Sequence, residues 1–266
     1  MPPPERAVIS SSANPAIAYA RSLSRRDTRA AERAFVVEGL RAVRDGLLAG
    51  ERPRLVLLRQ DERADLLLHE LAVAPNDPVL RRVEPRLFDK VSEVQVPQGV
   101  LAVFSWPDIP VPETQKPLVL VLDRLRDPGN VGTLLRSAAG AGVSAVYLTP
   151  ESVDPWNPKV VRAGMGAHFR LPLLAFDEAA ATLRDTLPLR AATAATAPVA
   201  YDAVDWTQPA ALIIGGEAEG VSPQLSAWAS EAVAIPLLAN VESLNAAVAG
   251  SILLFEAARQ RRQEWS

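Results

Sequence analysis

The residues of this chain that could do chemistry lie in three short stretches, each placed where a predicted strand gives way to a helix. The last stretch, 242–245 (Glu-Ser-Leu-Asn), follows an apolar run at 232–237, with a turn predicted at 240–242. Ser243 is a candidate N-cap for the helix of small and apolar residues that follows, and Asn245 can satisfy its first turn. Ligands of open α/β sheets bind at such junctions, so a binding role is the alternative to simple capping.

The first stretch, 130–136, combines an asparagine, a glycine and an arginine at the start of a predicted helix. Asn130 suits the N-cap, and Gly132 lets another backbone or a ligand come close. Arg136 is an exposed helix arginine, an arginine that pairs with an acid of the proline-rich segment 107–117, or a clamp for phosphate or carboxylate. The junction lacks the glycine patterns of dinucleotide sites and P-loops, so neither is predicted.

The second stretch, 215–222, follows an apolar strand predicted at 210–214. Gly215 and Gly216 free the backbone to approach a flat ligand, and Glu217 lies at the end of the strand. The alternative is an acidic turn that leads into a helix capped by Ser222. Because the carboxyl ends of parallel strands emerge at one edge of a sheet, we expect all three stretches to converge there.

Strands and helices alternate along the whole chain, which predicts α/β architecture. The run 118–122 is typical of a central parallel strand. Other strands are predicted at 35–39, 53–58, 79–83, 98–104, 145–148, 170–174 and 189–193. Helices are predicted at 16–34, 40–49, 63–73, 85–91, 130–140, 158–165, 177–186 and 223–230.

A proline-rich segment at 107–117 is the best domain boundary, because four prolines among few large apolar residues indicate a stiff, extended linker. The sequence therefore predicts a smaller α/β domain at 1–106 and a larger parallel-sheet domain at 118–266.

Composition excludes several kinds of site. The 266 residues contain no cysteine, so disulfides, thiolate zinc sites and cysteine nucleophiles are excluded. With only His69 and His168, a multi-histidine metal site is not expected either. No apolar run is long enough to span a membrane and the start shows no apolar signal region, so a cytoplasmic protein is expected.

Charge is distributed unevenly along a chain whose net charge is −3. Residues 1–60 sum to +5 and the remainder to −8. A basic leading segment on an acidic body indicates either a surface that meets phosphate or a solvated helix face whose arginines alternate with acids.

Taken in order, the three stretches resemble the three motifs of the SpoU (TrmH) family of RNA ribose 2′-O-methyltransferases, in the SPOUT superfamily. The first runs from Asp127 to Arg136, the second is 214–220, and the third is Ile235-Pro236 followed by 241–245. Less specifically, 35–39 and 97–100 resemble the L30e-like α/β substrate-binding domain of that family.

The resemblance implies a trefoil knot in the C-terminal domain, a homodimer and S-adenosylmethionine as cofactor. It implies that the cofactor contacts Thr193, Gly215, Gly216, Ile235, Leu244 and Asn245. It implies that Arg136 is the catalytic residue, with Asn130, Glu217, Ser243 and Asn245 around it. The phosphate-facing residues of the leading segment would be Arg21, Arg25, Arg26, Arg29 and Arg41.

Two details of the site are our own expectations. Guanidinium hardly deprotonates in proteins, so we expect Arg136 to clamp a phosphate and orient the ribose hydroxyl rather than to act as a general base. Where the family often has glycine, this chain has Ala239 and Asn240, and we expect Asn240 to take the left-handed backbone of the turn.

Three functions remain open from the sequence. The favoured one is 2′-O-methylation of structured RNA, ribosomal rather than transfer RNA by analogy with the leading domain. The second is a non-catalytic RNA-binding or ribosome-assembly protein that keeps the fold. The third is a small-molecule enzyme in which Arg136 binds a carboxylate.

Overall fold

The computed structural model describes residues 7–239 and 241–263. Through residue 105 the elements are α1 Pro15–Ser22, α2 Arg26–Glu32, β1 Ala34–Glu38, α3 Leu40–Leu48, β2 Leu55–Arg59, α4 Ala64–Leu71, β3 Leu80–Val83, α5 Pro85–Val91 and β4 Val100–Ser105. Then follow β5 Leu118–Asp123, α6 Pro128–Ala141, β6 Ala145–Leu148, α7 Pro158–Gly164, a 3₁₀ turn Ala167–Phe169, β7 Leu173–Ala175, α8 Phe176–Thr186, β8 Leu189–Thr193, β9 Val199–Ala200, β10 Ala210–Gly215, α9 Pro223–Trp228, β11 Glu231–Ala234 and α10 Ala246–Gln263.

The chain divides into two compact units whose sequences interleave. Unit 1 takes the residues up to 108 together with 156–169, and unit 2 takes 109–155 together with 170 onward. The domains predicted from the sequence, 1–106 and 118–266, are contiguous and so differ from these units at α7 and the 3₁₀ turn.

Unit 1 is built on a four-stranded mixed sheet in the order β1-β4-β2-β3. Strands β1 and β2 both run antiparallel to β4, whereas β2 and β3 are parallel. Ile17 of α1, Leu23 just after it and Phe88 of α5 form a core against Leu57 and Val103 of the sheet. The apolar spacing of these short helices is what buries one face of each.

An aromatic cluster explains why 156–169 belongs to unit 1. The ring of Trp156 lies 4.9 Å from that of Phe35, centroid to centroid, and stacks on Trp106 at 5.0 Å. Phe169 lies 5.6 Å from Phe35 and 5.0 Å from Phe104. Phe35 and Phe104 have no exposed surface, so this cluster is part of the core of unit 1.

The basic segment is two helices rather than the single helix predicted at 16–34. Helix α1 ends at Ser22 and α2 begins at Arg26, so the chain turns a corner at 23–25. Arg29 is only 2% exposed and donates from Nη1 to the carbonyl oxygens of Leu23 (2.9 Å) and Ser24 (2.7 Å). The prediction that Arg29 contacts RNA phosphate is therefore wrong, because its guanidinium is buried and hydrogen-bonds to the backbone of this turn.

Unit 2 is a seven-stranded, all-parallel sheet in the order β7-β6-β5-β10-β8-β11-β9. Strands β5 and β10 are buried along their whole length, as predicted for central parallel strands. From β5 the chain proceeds outward through β6 to β7, and the later strands fill the other side. The switch point between β5 and β10 is therefore where the fold favours a ligand site.

Helix α10 packs against α6 through small residues. Ser137 and Ser251 hydrogen-bond through their hydroxyls at 2.7 Å. A Cβ on Gly250 would lie 2.5 Å from Cδ2 of Leu134, so the glycine lets the two helices approach. Across the described residues, none of the helices combines the length and apolar character needed to cross a bilayer.

Candidate functional site

Four parallel strands of unit 2 end at the same edge of the sheet, at Asp123, Thr193, Gly215 and Ala234. Beside three of them lies a cavity of about 420 Å³, which we call the edge cavity. Its lining residues are 193–195, 214–217, Gly220, 233–235, Leu237, 243–246, Ala249 and Leu253. All six residues predicted to contact the cofactor, and Glu217 and Ser243 with them, line this one cavity.

Two glycines let the loop after β10 fold back on itself. A Cβ on Gly215 would lie 2.1 Å from both the carbonyl carbon of Gly220 and the amide nitrogen of Val221. A Cβ on Gly216 would lie 2.7 Å from the carbonyl oxygen of Arg124. The sequence predicted that these glycines let a flat ligand approach. In the structure, each glycine lets another segment of the backbone pack against it.

A buried carboxylate anchors the same loop. Asp123, 1% exposed at the end of β5, accepts a hydrogen bond through Oδ2 from the backbone N–H of Ser222 at 2.6 Å. Ser222 in turn caps α9, as the alternative interpretation of this stretch proposed. Sequence reasoning missed Asp123, although an acidic residue that ends a fully apolar run is the signal that could have found it.

A row of three polar side chains, which we call the amide row, connects the three stretches. Asn130 donates from Nδ2 to Oε1 of Glu217 at 2.6 Å, and Asn245 donates from Nδ2 to Oδ1 of Asn130 at 3.0 Å. Oδ1 of Asn245 accepts from the backbone N–H groups of Ala247 (2.9 Å) and Val248 (3.2 Å). The predicted convergence of the three stretches is therefore confirmed for these three residues.

The caps of the two helices are not the residues predicted. Asp127, rather than Asn130, caps α6 and accepts from the Asn130 N–H at 2.8 Å. Asn245, rather than Ser243, caps α10 through the two bonds given above. Since Asn130 is not needed as a cap, its amide is available for the row, and Ser243 lines the edge cavity instead.

Arg136 is not among the residues that line the edge cavity. It is exposed on α6 and, among residues 7–239 and 241–263, its guanidinium has neither an ion-pair nor a hydrogen-bond partner. An exposed, unpaired guanidinium on a helix that also supplies Asn130 is free to meet a phosphate from outside the chain.

The turn before α10 is left-handed at Ala239, with φ of +57°. The left-handed conformation predicted for Asn240 lies outside the described residues. An alanine in this conformation carries an energetic cost that glycine would avoid.

Of the five arginines proposed to meet RNA, four are exposed in unit 1: Arg21, Arg25, Arg26 and Arg41. Only Arg29 is buried. Within the described part of the chain, no group of three or more histidine, aspartate and glutamate side chains is placed to hold a metal ion.

Comparison with known proteins finds matches over both parts of the chain. Residues 117–255 match the model of the SpoU rRNA methylase family, and residues 14–102 match that of the MRM3-like substrate binding domain. Human mitochondrial rRNA methyltransferase 3 is 35% identical over 290 residues, covering 86% of this chain and 68% of the relative. The 23S rRNA (guanosine-2′-O-)-methyltransferase RlmB of Photorhabdus laumondii is 31% identical over 242 residues, covering 85% and 98%.

The chain is also similar to solved structures of rRNA methyltransferases over nearly its whole length. The AdoMet-bound rRNA methyltransferase of Sinorhizobium meliloti superimposes with a TM-score of 0.82 at 28% identity, covering 95% of this chain and 97% of that one.

Proposed function

Because the chain belongs to the SpoU rRNA methylase family, we propose that it methylates a ribose 2′-hydroxyl of ribosomal RNA. It is an RNA methyltransferase that uses S-adenosylmethionine, as AdoMet-bound members of the family do. The observation that carries the proposal is the amide row, which joins all three motifs of the family beside the edge cavity.

The edge cavity has the chemistry to hold S-adenosylmethionine. Apolar side chains such as Val233, Ile235 and Leu253 offer walls for the adenine ring, and the two glycines at 215–216 bring backbone groups to the surface. The residues that would hold the cofactor are Thr193, Gly215, Gly216, Ile235, Leu244 and Asn245. Glu217 is the acidic side chain in the lining, and its carboxylate would attract the positive charge that the cofactor carries.

The bound cofactor supplies a sulfonium methyl group, which a nucleophilic oxygen attacks in line. Rate then depends on holding the ribose hydroxyl in one orientation. The amide row suits that task, because the start of α10 fixes the Asn245 amide and each further amide is oriented by its neighbour. The row ends on the Glu217 carboxylate, an acceptor for a hydroxyl proton.

Arg136 has a separate role in this proposal. Guanidinium is a permanent cation with paired donors, so Arg136 clamps the phosphate beside the target ribose and does not remove a proton. A lysine at this position would keep the charge but lose the bidentate geometry. If Arg136→Lys kept the RNA affinity and turnover of the wild type, the clamp would be wrong.

We also propose that the protein works as a homodimer and that unit 2 carries the trefoil knot of the family. Four large apolar side chains between residues 238 and 255 of unit 2 are exposed: Leu238 (85%), Val241 (51%), Val248 (48%) and Phe255 (46%). Exposed apolar surface of this kind is typical of an interface. Sedimentation velocity tests the dimer: Phe255→Glu should shift the wild-type dimer toward monomer, and a monomeric wild type would refute it.

Ribose-methylation mapping of total RNA tests the function. One 2′-O-methyl site in ribosomal RNA should vanish when the gene is deleted. It should return with the wild type and with Arg184→Ala, a matched exposed arginine on α8, but not with Arg136→Ala. Loss of a transfer RNA site would instead reassign the substrate. No lost site, together with no calorimetric binding of S-adenosylmethionine, would leave a non-catalytic RNA-binding protein.

A further inference from the structure

Unit 1 contains a second cavity, of about 220 Å³, which is separate from the edge cavity of unit 2. Its floor is apolar and comes from four elements, through Ala20 of α1, Val36 of β1, Leu101 of β4 and Val161 of α7. The volume of this cavity is smaller than that of pockets for drug-sized ligands, which start at about 300 Å³. It suits a single flat ring system.

The rim of this cavity carries three cations from three helices: Arg21 on α1, Lys90 on α5 and Arg162 on α7. All three are exposed, and within the described parts of the chain none of their side chains makes an ion pair or a hydrogen bond. Two acids, Glu38 and Glu93, also line the cavity, so its charged side chains sum to +1. Cations left unpaired at one mouth attract an anion there.

The inner wall offers acceptors rather than donors. Glu38 is half-buried at the end of β1, where its carboxylate accepts from the hydroxyl of Ser92 and from the backbone N–H of Glu93 (3.3 Å). An ionised carboxylate has about four lone-pair sites, so these two bonds leave capacity for further donors. The wall therefore favours a ligand edge that donates hydrogen bonds, and it repels a phosphate.

We propose that this cavity binds one unpaired nucleotide of the RNA substrate. The base lies on the apolar floor with its amino group donating to Glu38, while its flanking phosphates meet Arg21, Lys90 and Arg162. Proteins that read RNA sequence do so on unpaired bases splayed out of the helix, and a nucleotide is the ligand that combines a flat ring, a donor edge and an anion. Adenine, cytosine and guanine carry the amino group, whereas uracil does not.

That RNA is the substrate rests on the proposed function. Binding of a nucleotide in unit 1 can be measured separately, without methyl transfer. The probes are fluorescein-labelled hexanucleotides of adenosine and of uridine, and the readout is fluorescence anisotropy with the full chain.

The rim is tested with the variant Arg21→Gln, Lys90→Gln and Arg162→Gln together. The matched control replaces three exposed arginines of unit 1 that lie outside the cavity lining: Arg44, Arg52 and Arg63, each by glutamine. The rim variant should lose about 10-fold or more in affinity for the adenosine probe, and the slope of log K against log salt should fall by about 2, at roughly 0.7 per cation. The control should lose much less.

The wall is tested with Glu38→Gln. The wild type should bind the adenosine probe more tightly than the uridine probe, and Glu38→Gln should reduce that preference while keeping the thermal transition. If Glu38→Gln fails to fold, the rim variant still tests whether a nucleotide binds in this cavity, because it changes only exposed residues.

Three results would overturn the inference: no binding of the adenosine probe by the wild type, equal losses in the rim variant and the control, or no preference for adenosine over uridine. Calorimetry with S-adenosylmethionine on the same samples separates the two proposals. Loss of probe binding with cofactor binding intact supports the nucleotide cavity. Absent cofactor binding by the wild type would instead count against the proposed function.

Discussion

A single amide, that of Asn245, performs two tasks with its two ends. Its oxygen caps α10, and its nitrogen donates to Asn130 in the amide row. Because these tasks use different atoms, substitution can separate stability from activity at one position.

We expect Asn245→Ala to lower the free energy of unfolding by about 1 kcal/mol, the usual cost of losing an N-cap. Asn245→Asp should keep that stability, because a carboxylate oxygen also caps a helix, but it removes the donor to Asn130. Methyl transfer should therefore fall by at least about 10-fold in both variants, as expected for loss of one positioning hydrogen bond of about 1.4 kcal/mol. Urea unfolding and a methyl-transfer assay measure the two effects. Full activity in Asn245→Asp would show that the row does not serve catalysis.

Substitution of Gly215 tests whether the cofactor site requires close packing of the loop after β10 against the backbone of Gly220 and Val221. A Cβ there would meet backbone atoms 2.1 Å away, and backbone cannot move aside as a flexible side chain does. Gly215→Ala should therefore weaken S-adenosylmethionine binding at least about 10-fold and destabilise the fold by more than 1 kcal/mol, the range of overpacking. Calorimetry measures the binding.

The control for this prediction is Gly142→Ala. Gly142 caps α6 at φ +75° with open space where a Cβ would be. Its substitution should cost about 1 kcal/mol through backbone strain but leave cofactor binding unchanged. Equal binding losses in both variants would attribute the effect to general destabilisation.

At the scale of elements, the corner between α1 and α2 shows how a charged residue becomes structural. The two helices are short, eight and seven residues, so neither is stable by its own hydrogen bonds. Arg29 reaches back from α2 and donates to the carbonyl oxygens of Leu23 and Ser24, the two residues that follow α1.

Replacing Arg29 by glutamine should therefore destabilise the protein by about 2–4 kcal/mol, because one buried and one half-buried hydrogen bond lose their charged donor. Arg26→Gln, an exposed change in the same helix, should stay within about 0.5 kcal/mol. Thermal unfolding measures both. If Arg29→Gln changed the stability by less than about 0.5 kcal/mol but reduced RNA affinity, the RNA-binding role first predicted for Arg29 would be restored.

At the scale of the whole molecule, the notable feature is that unit 1 is not contiguous in sequence. Residues 156–169 lie within the span of unit 2 along the chain, yet the side chains of Trp156 and Phe169 complete the core of unit 1. A domain boundary drawn from the proline-rich segment alone therefore cuts through this core.

A fragment of residues 1–108 should accordingly lack a cooperative unfolding transition, because Phe35 and Phe104 lose the rings of Trp156 and Phe169. Losing such buried contacts costs roughly 3–5 kcal/mol per large side chain, comparable with the stability of a small domain. A chain that joins 1–108 to 156–169 through a Gly/Ser linker should recover the transition. Circular dichroism melting distinguishes the two, and a cooperative melt of the shorter fragment would contradict the prediction.

The sequence by itself determined most of the regular elements. Strand β6 and helix α5 have the predicted bounds, and the apolar run of β5 is a buried central strand, because burial on both faces requires continuous apolar residues. The glycines and polar residues at the ends of β5, β10 and β11 also identified the edge of the sheet where the cavity lies, because parallel strands bring those ends together.

Only the tertiary structure decided which of several competent residues takes each role. Asp127 and Asn130 could both cap α6, Ser243 and Asn245 could both cap α10, and the winner is set by partners about a hundred residues away. The burial of Arg29 and the transfer of 156–169 to unit 1 likewise depend on contacts that no local pattern contains. Periodicity and capping preferences act over a few residues, whereas these choices are settled by packing between segments far apart in the chain.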